Sequence, residues 1–510
     1  MAVKGNQYKI SPNIEANIAK LKEILGKSDD IVFRNIVISN QQQTRALLCY
    51  VSGLANTEMI SQHIIKSLTQ NVSAEVCDIR SLSANTFESI KTNILSITDL
   101  NESQSMKNVI NEILAGKTAL FIDTYVKVLL INALAFEARN VQDPNTETVV
   151  RGPREGFTEN IAVNIALVRR KIKHPNLVLE KMIVGRKTNT TIFIAYLDRI
   201  VDPKIVQEVK ERLKRIQIDS ILESGSIEQL IEDNPTSLFP TIGNSEKPDI
   251  VAAKLLEGRV AIFCDGTPFV LTVPYLFIES LRTSEDYYSR PFIATLLRLI
   301  RIISLFITIA APALYVAVTV FHYEMIPTVL LITTAASREG IPFPAVLEVF
   351  LMGIVFEVLR EAGVRMPKPV GQATSIVGAL VLGEAAVNAG IVSSPMIIIV
   401  AITGITDFVN PSLISVTFYL RTFLLILATG LGLYGILIGF FFILAHMCSL
   451  RSFGSPFLAP FAPTIWSELK DSVVRSFLWL MKSRPQSITW KKSQRQGLQS
   501  KPGPSRTNRR

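Results

Sequence analysis

Two kinds of hydrophobic patterning divide the chain. Up to about residue 290, short β-rich runs such as RALLCYV (Arg45–Val51) and TTIFIAYL (Thr190–Leu197) alternate with polar turns and helical stripes. Ile205, Val209, Leu213 and Ile216 have the spacing of one helix face. From 302 to 447 apolar residues dominate instead. The first half predicts α/β structure, and the second predicts helices in a membrane.

The α/β half repeats itself. GKTALFIDT (Gly116–Thr124) matches GRVAIFCDG (Gly258–Gly266), and LCYVSGLANTEMI (Leu48–Ile60) aligns with IAYLDRIVDPKIV (Ile194–Val206). The pairs Gly116/Gly258 and Tyr50/Tyr196 are offset by 142 and 146 residues, so the matches are nearly collinear. Tandem copies of one α/β unit are expected rather than a solenoid, whose periods are shorter. In each copy a helix precedes a strand that opens after Gly-Lys or Gly-Arg and ends at Asp. Those glycines and acids suit strand ends and hairpins.

Ile302–Phe321 runs for twenty residues without a charge. At about 1.5 Å per residue, that length covers the roughly 30 Å hydrocarbon core of a bilayer. Arg290, Arg298 and Arg301 precede it and put that end inside. Thr422–Met447 reads as a second span, and a basic tail follows it. Between them lie a broken stretch at 325–359, interrupted by Glu348, and a full-length run at 372–391; residues 395–420 are interrupted by DFVNP. Four crossings are expected, at 302–321, 325–359, 372–391 and 422–447, with 395–420 dipping in and returning. Irregular backbone at that depth must be buried in protein or line water.

Glu384 is the acid placed deepest in an apolar run. Its helix divides into a side of small residues, including Gly371, Ser375, Gly378 and Ala379, and an opposite side carrying Thr374, Val377, Val381, Glu384 and Asn388. The small side suits close helix packing. The opposite side reads either as a polar contact between helices or as the lining of a pore or cavity. The stretch SREGIPFPAVLEV (Ser337–Val349) joins two apolar pieces, and its Arg338 and Glu339 are expected to pair locally or with a neighbouring subunit. Between the repeats, Arg151, Arg154 and Glu155 form either an ion-paired linker or a subunit interface, and Thr158 or Asn160 caps the helix that follows.

Charge adds one restriction. From Cys448 onward the chain holds twelve Lys/Arg and two acids, an excess equal to the entire net charge of +10. The remainder is balanced, and nothing in it points to nucleic acid. Ile465, Trp466, Leu469, Val473, Phe477 and Leu480 form an apolar stripe that predicts an interfacial helix, with packing on the α/β half as the alternative. A disordered basic tail is expected from 485. The opening MAVKGNQYKI lacks a signal-peptide core, so a cytoplasmic N-terminal region is expected.

Candidate chemistry is sparse. AGKT (Ala115–Thr118) is not a phosphate loop, because Asn111 stands where the motif requires Gly and a strand follows where a helix must. No Ser-His-Asp set, H-E-x-x-H or dinucleotide fingerprint occurs. Cys49, Cys77, Cys264 and Cys448 are scattered, without metal-like spacing, so no metal or cofactor is expected and buried thiols are. The expected domains are a variable segment (1–30), two α/β units (31–150 and 151–290), a transmembrane domain (291–447), a Pro-rich connector with an amphipathic helix (448–484) and the tail (485–510).

RGPREGFTEN, SEDYYSRP, LITTAASREGIPFPAVLEV, EVLREAGVRMPKPVGQATSIVGALVLGEAAVNAGIVS and SFGSPFLAPFAP resemble the A subunit of GerA-type bacterial spore germination receptors. The resemblance implies a multi-pass protein of the spore inner membrane, with both termini on the core side. It also implies action with a transporter-like B subunit and a lipoprotein C subunit, and oligomerisation into an ion-conducting channel. A secondary transporter and a membrane-tethered regulatory scaffold remain as alternatives.

Overall fold

The computed structural model describes residues 9–38, 44–70, 87, 100–134, 144, 147, 149–365, 383–488 and 494–495. Two five-stranded sheets occupy the first half. Strands β1 (Ile31–Val37), β2 (Arg45–Val51), β3 (Leu100–Ser103), β4 (Thr118–Ile122) and β5 (Val128–Ile131) run in the order β1-β2-β4-β5-β3. In the second sheet β6 (Leu177–Val184), β7 (Thr190–Leu197), β8 (Gly243–Ser245), β9 (Val260–Cys264) and β10 (Val270–Val273) take the order β6-β7-β9-β10-β8. Every neighbouring pair is antiparallel. The two orders are the same, element for element.

Central strands β4 and β9 are buried along their whole length, which is why TALFI and VAIFC are continuous apolar runs rather than alternating ones. Helices cover both faces of each sheet. In the first unit α1 (Ile14–Leu25) and α2 (Met106–Leu114) share one face, and helical turns between Thr57 and Gln70 cover the other. In the second, α3 (Ile161–Lys171) and α6 (Pro248–Glu257) pack opposite α4 (Pro203–Arg215) and α5 (Ser224–Ile231). Ile205, Val209 and Leu213 are buried as their spacing predicts.

Local detail repeats as well. Gly116 (φ 103°) and Gly258 (φ 98°) follow the helices α2 and α6 in left-handed backbone that favours glycine. Thr118 then opens a strand, so AGKT lies at a helix end and cradles no phosphate. Asp123 accepts the Ile14 N–H at 3.1 Å, and Asp265 accepts the Ile161 N–H at 3.3 Å, each tying a hairpin turn to the start of a helix. Asn17 exchanges hydrogen bonds with Ser11, and Asn164 does the same with Thr158. Asn160 is the cap of α3, accepting the Ala162 N–H.

One boundary shifts. Ile10, Ile14, Leu21 and Leu25 belong to the first unit's core, so the packed unit includes residues expected to be a variable N-terminal segment. The units meet through α3, whose Ala166 enters the first unit's core while its neighbours fill the second. Fully buried Arg169 of α3 crosses this contact. Its guanidinium donates to Asp30 through Nε at 2.9 Å and Nη2 at 2.8 Å, and to Ser28 Oγ at 3.0 Å.

The apolar half departs further from the expected layout. Helix α7 (Pro291–Val316) continues through π-helical Ala317–Phe321; α8 (Thr328–Arg338), α9 (Ala345–Arg365), α10 (Ser394–Asp407), α11 (Ile414–Leu431) and α12 (Leu433–Ser449) follow. Among the described residues two helical stretches, Pro291–Phe321 and Pro411–Leu431, are long and apolar enough to cross a membrane. The expected span 422–447 is cut at Gly432, whose φ of 61° and ψ of −138° turn α11 back against α12. Hydropathy runs straight through a glycine; backbone geometry does not. Residues 395–420 likewise divide between α10 and α11 instead of forming a separate re-entrant piece. The predicted span 372–391 lies largely outside the described residues.

After α12 the chain folds back. The interfacial helix expected over 465–480 is limited to Trp466–Leu469 and a 3-10 turn at Leu478–Leu480. The connector before that stretch packs on the α/β half. Ser452 accepts the Tyr275 N–H at 2.9 Å and donates to Thr241 O at 2.6 Å, while Phe457 joins Phe239, Tyr275, Leu305 and Leu420 in one core. That core runs unbroken from the second α/β unit into the helices. The basic tail lies almost wholly outside the described residues.

Candidate functional site

Three clusters of charged and hydroxyl side chains are buried where the apolar helices meet one another and the α/β half. The first centres on Glu348. Ala345, Glu348, Val349 and Met352 recur at helical spacing and form the buried face of α9. Glu348 therefore points inward, accepting the Ser393 N–H at 3.0 Å and the Ser393 hydroxyl at 2.9 Å. Ser393 is the residue before α10, whose first N–H groups lack helical partners, so the carboxylate satisfies an orphan donor and complements the helix dipole. Tyr315 of α7 lies 3.3 Å from Ser393 Oγ. Arg338 faces the other carboxylate oxygen at 3.5 Å.

The second cluster lies along α9, α10 and α11. Asp407 accepts from Arg360 at 3.0 Å and from the Thr417 hydroxyl at 2.6 Å. Arg360 also pairs with Glu357, and Arg421 approaches Glu357 at 3.9 Å. Thr308 of α7 donates to Thr406 at 2.8 Å, and Asn410 reaches the Arg301 carbonyl at 3.0 Å. Charges this deep persist because each is paired; breaking one pair leaves its partner buried and uncompensated. A cavity lined by Pro312, Val349, Phe356, Thr403, Phe418 and Arg421 opens beside them.

The third cluster joins α7 to both soluble segments. Arg298 donates to Asp286 at 3.0 Å and to the carbonyl and carboxylate of Asp471 at 2.6 and 3.1 Å. Arg301 clasps the same Asp286 with two contacts of 2.9 Å. Tyr287 donates to Asp471 at 2.7 Å, and the Arg475 N–H reaches Thr295 at 3.1 Å. Asp286 and Tyr287 belong to the SEDYYSRP stretch, so this segment pins the start of α7 to the returning C-terminal chain.

The residues singled out from sequence fall differently. Thr374, Val377 and Val381 lie outside the described residues. Glu384 and Asn388 share the helical turns 383–388, and both are exposed. Arg338 pairs with Glu348 rather than with Glu339, which is exposed. Adjacent helix-end side chains diverge, whereas Glu348 comes from the next helix and faces back. Glu155 pairs with Lys171 at 3.0 Å and Arg170 at 3.9 Å, both on α3, while Arg151 and Arg154 are exposed. Glu357, Arg360, Asp407 and Arg421 were not singled out. Their signal is present, since each is a charge within or beside an apolar run.

A pair of α/β units thus shares its core with a bundle of apolar helices that carries paired internal charges and two stretches long and apolar enough to cross a membrane. The chain belongs to the GerA family, described as Bacillus/Clostridium GerA spore germination protein, whose model matches residues 19–487. Spore germination protein KA of Bacillus subtilis (strain 168) is 44% identical, over 97% of this chain and 90% of its own. Spore germination protein GerLA of Bacillus cereus is 36% identical, over 96% and 98%. The crystal structure of the N-terminal domain of the A subunit of the Bacillus megaterium spore germinant receptor GerK3 aligns with 53% of this chain and 97% of its own, at 35% identity and a TM-score of 0.40.

Proposed function

We propose that the chain is the A-type subunit of a nutrient-responsive spore germinant receptor, and that copies of it assemble in the spore inner membrane into a gated cation channel. Family membership supports the receptor role. The observation that carries the channel reading is the pair Glu384 and Asn388, exposed together on turns 383–388 amid apolar helices. An acid facing lipid is costly, on the order of 3 kcal/mol on insertion scales, so in a membrane that face meets water or protein. The proposed lining includes Thr374, Val377 and Val381, which helical spacing in the sequence groups with Glu384.

In this reading the N-terminal units and the C-terminal tail lie on the core side. A transporter-like B subunit and a lipoprotein C subunit deliver the nutrient signal. Exposed Arg151 and Arg154 offer guanidinium forks for contacts with a neighbouring subunit. The Asp286–Arg298–Asp471 cluster supports rigid transmission, because a movement of the second α/β unit displaces α7 with it. Mass measurement of the purified receptor tests the assembly. Several copies of this chain per particle, with nutrient-dependent cation flux in liposomes, are expected; a single copy without flux contradicts the channel.

A further inference from the structure

Where the C-terminal chain folds under the second α/β unit it leaves an open pocket, walled in part by Arg259, Arg282, Lys470, Arg484 and Arg495. The acids of that wall are already engaged. Glu468 accepts from Ser487 through its N–H at 3.3 Å and its hydroxyl at 3.0 Å, Asp471 holds Arg298 at 3.1 Å, and Glu257 faces Arg259 at 3.6 Å. Arg259 is itself paired with Glu279. Arg282 stands apart, because its Nε is buried without a hydrogen-bond partner and no ion pair forms at it among the described residues. Burial, followed by repulsion from Arg495, holds the Arg484 guanidinium below its ordinary value. Arg282 thus faces this space with its Nε unpartnered, beside an Arg484 held by the Leu256 and Gln494 carbonyls.

A second observation indicates what the pocket takes. Its rim continues into an exposed aromatic patch. Phe477 meets Phe292 edge-on at 5.9 Å and stacks on Trp479 at 4.4 Å. Phe292 is 79% exposed and Leu480 54%. Phe292 sits in the first turn of α7, the first helix able to cross a membrane. Aromatic side chains beside a basic pocket at the mouth of a crossing helix match the chemistry of an anionic lipid headgroup.

We infer that this pocket binds the phosphate group of an anionic phospholipid, with Arg282 as its principal donor, Lys470 and Arg495 in support, and the acyl chains against Phe292, Phe477 and Leu480. The inference rests on the membrane placement of α7 proposed above. The lipid site fastens the returning C-terminal segment to the leaflet beside the Arg298–Asp471 contact.

The test uses the full-length chain in neutral phosphatidylcholine micelles, titrated with short-chain phosphatidylglycerol or with inorganic phosphate while thermal unfolding is followed. Phosphatidylglycerol is expected to raise Tm saturably, and inorganic phosphate at equal concentration is not. Arg282→Gln is expected to weaken the lipid affinity about fivefold. Lys470→Gln, at an exposed position where folding is not at stake, is expected to weaken it in the same direction. Arg215→Gln, at an exposed position of α4, is the control and should leave it unchanged. Unaltered affinity in both pocket variants, or equal loss in the control, overturns the site. Equal stabilisation by inorganic phosphate overturns the lipid and assigns the pocket to a soluble phosphate. Flotation with neutral vesicles separately reports the membrane placement, so its failure is distinguishable from failure of the site.

Discussion

Glu348 on α9 closes the amino end of α10 by accepting both the N–H and the hydroxyl of Ser393, at 3.0 and 2.9 Å. Two helices separated by residues 366–393 are thereby locked to one carboxylate. Glu348→Ala leaves Arg338 and the Ser393 N–H without their partner and should cost about 3 kcal/mol or more. Glu348→Gln keeps an acceptor for Ser393 and should cost less. Denaturant unfolding of the detergent-solubilised chain measures the order of the two.

The Arg169–Asp30 pair makes a parallel prediction for the soluble half. Arg169→Ala strands a buried carboxylate and should destabilise the contact between the units by about 3–5 kcal/mol. Replacing both partners, as Arg169→Met with Asp30→Leu, should recover much of that loss, because an apolar pair leaves no charge uncompensated. A double-mutant cycle read by hydrogen exchange at β1 and β6 distinguishes the two outcomes.

Gly432 occupies a backbone region that residues with a Cβ avoid, and an added Cβ would stand 2.9 Å from His322 and 3.1 Å from Phe321. Gly432→Ala is expected to destabilise by about 1–3 kcal/mol. Cysteine pairs placed across α11 and α12 should then cross-link less readily, which reports the turn directly.

Glu228 on α5 supplies a pH signature. Burial first, and then Glu232 and Glu223, push its carboxyl from 4.5 to about 7. The folded protein therefore keeps a proton that the unfolded chain has already released between those values. Stability should fall as pH rises from about 4.5 to about 7 and level off above. Glu228→Gln removes that slope and should be more stable than the parent above pH 7 by about 1–2 kcal/mol, with little difference below pH 4.5. Unfolding midpoints across the pH range check the sign.

The α/β half was largely legible because its elements carry their own period. TALFI and VAIFC read as buried strands, Ile205, Val209 and Leu213 as a helix face, and Gly116 and Gly258 as ends. Helix α1 escaped because its repeat signal is short: SPNIEAN and TENIAVN share only two asparagines and one isoleucine, yet Asn17 and Asn164 make the same bonds. The helical half was less legible. Hydropathy cannot register a turn at Gly432. It also treats Glu348, Glu357 and Arg360 as interruptions, because their partners Ser393, Asp407 and Arg421 become neighbours only when three helices pack. The amphipathic stripe from Ile465 does not form one long interfacial helix: Trp466 and Leu480 stay exposed, and Phe477 meets Phe292 at the start of α7.

The central claim is that this chain conducts cations along the helix carrying Glu384. Single-channel or liposome flux measurements on the receptor assembled with its partner subunits test it most directly, comparing the parent with Glu384→Gln. The account predicts nutrient-dependent cation flux whose conductance and preference for cations over anions fall in the variant, with assembly unchanged. Flux and selectivity identical in both, or no flux from a fully assembled receptor, would contradict it.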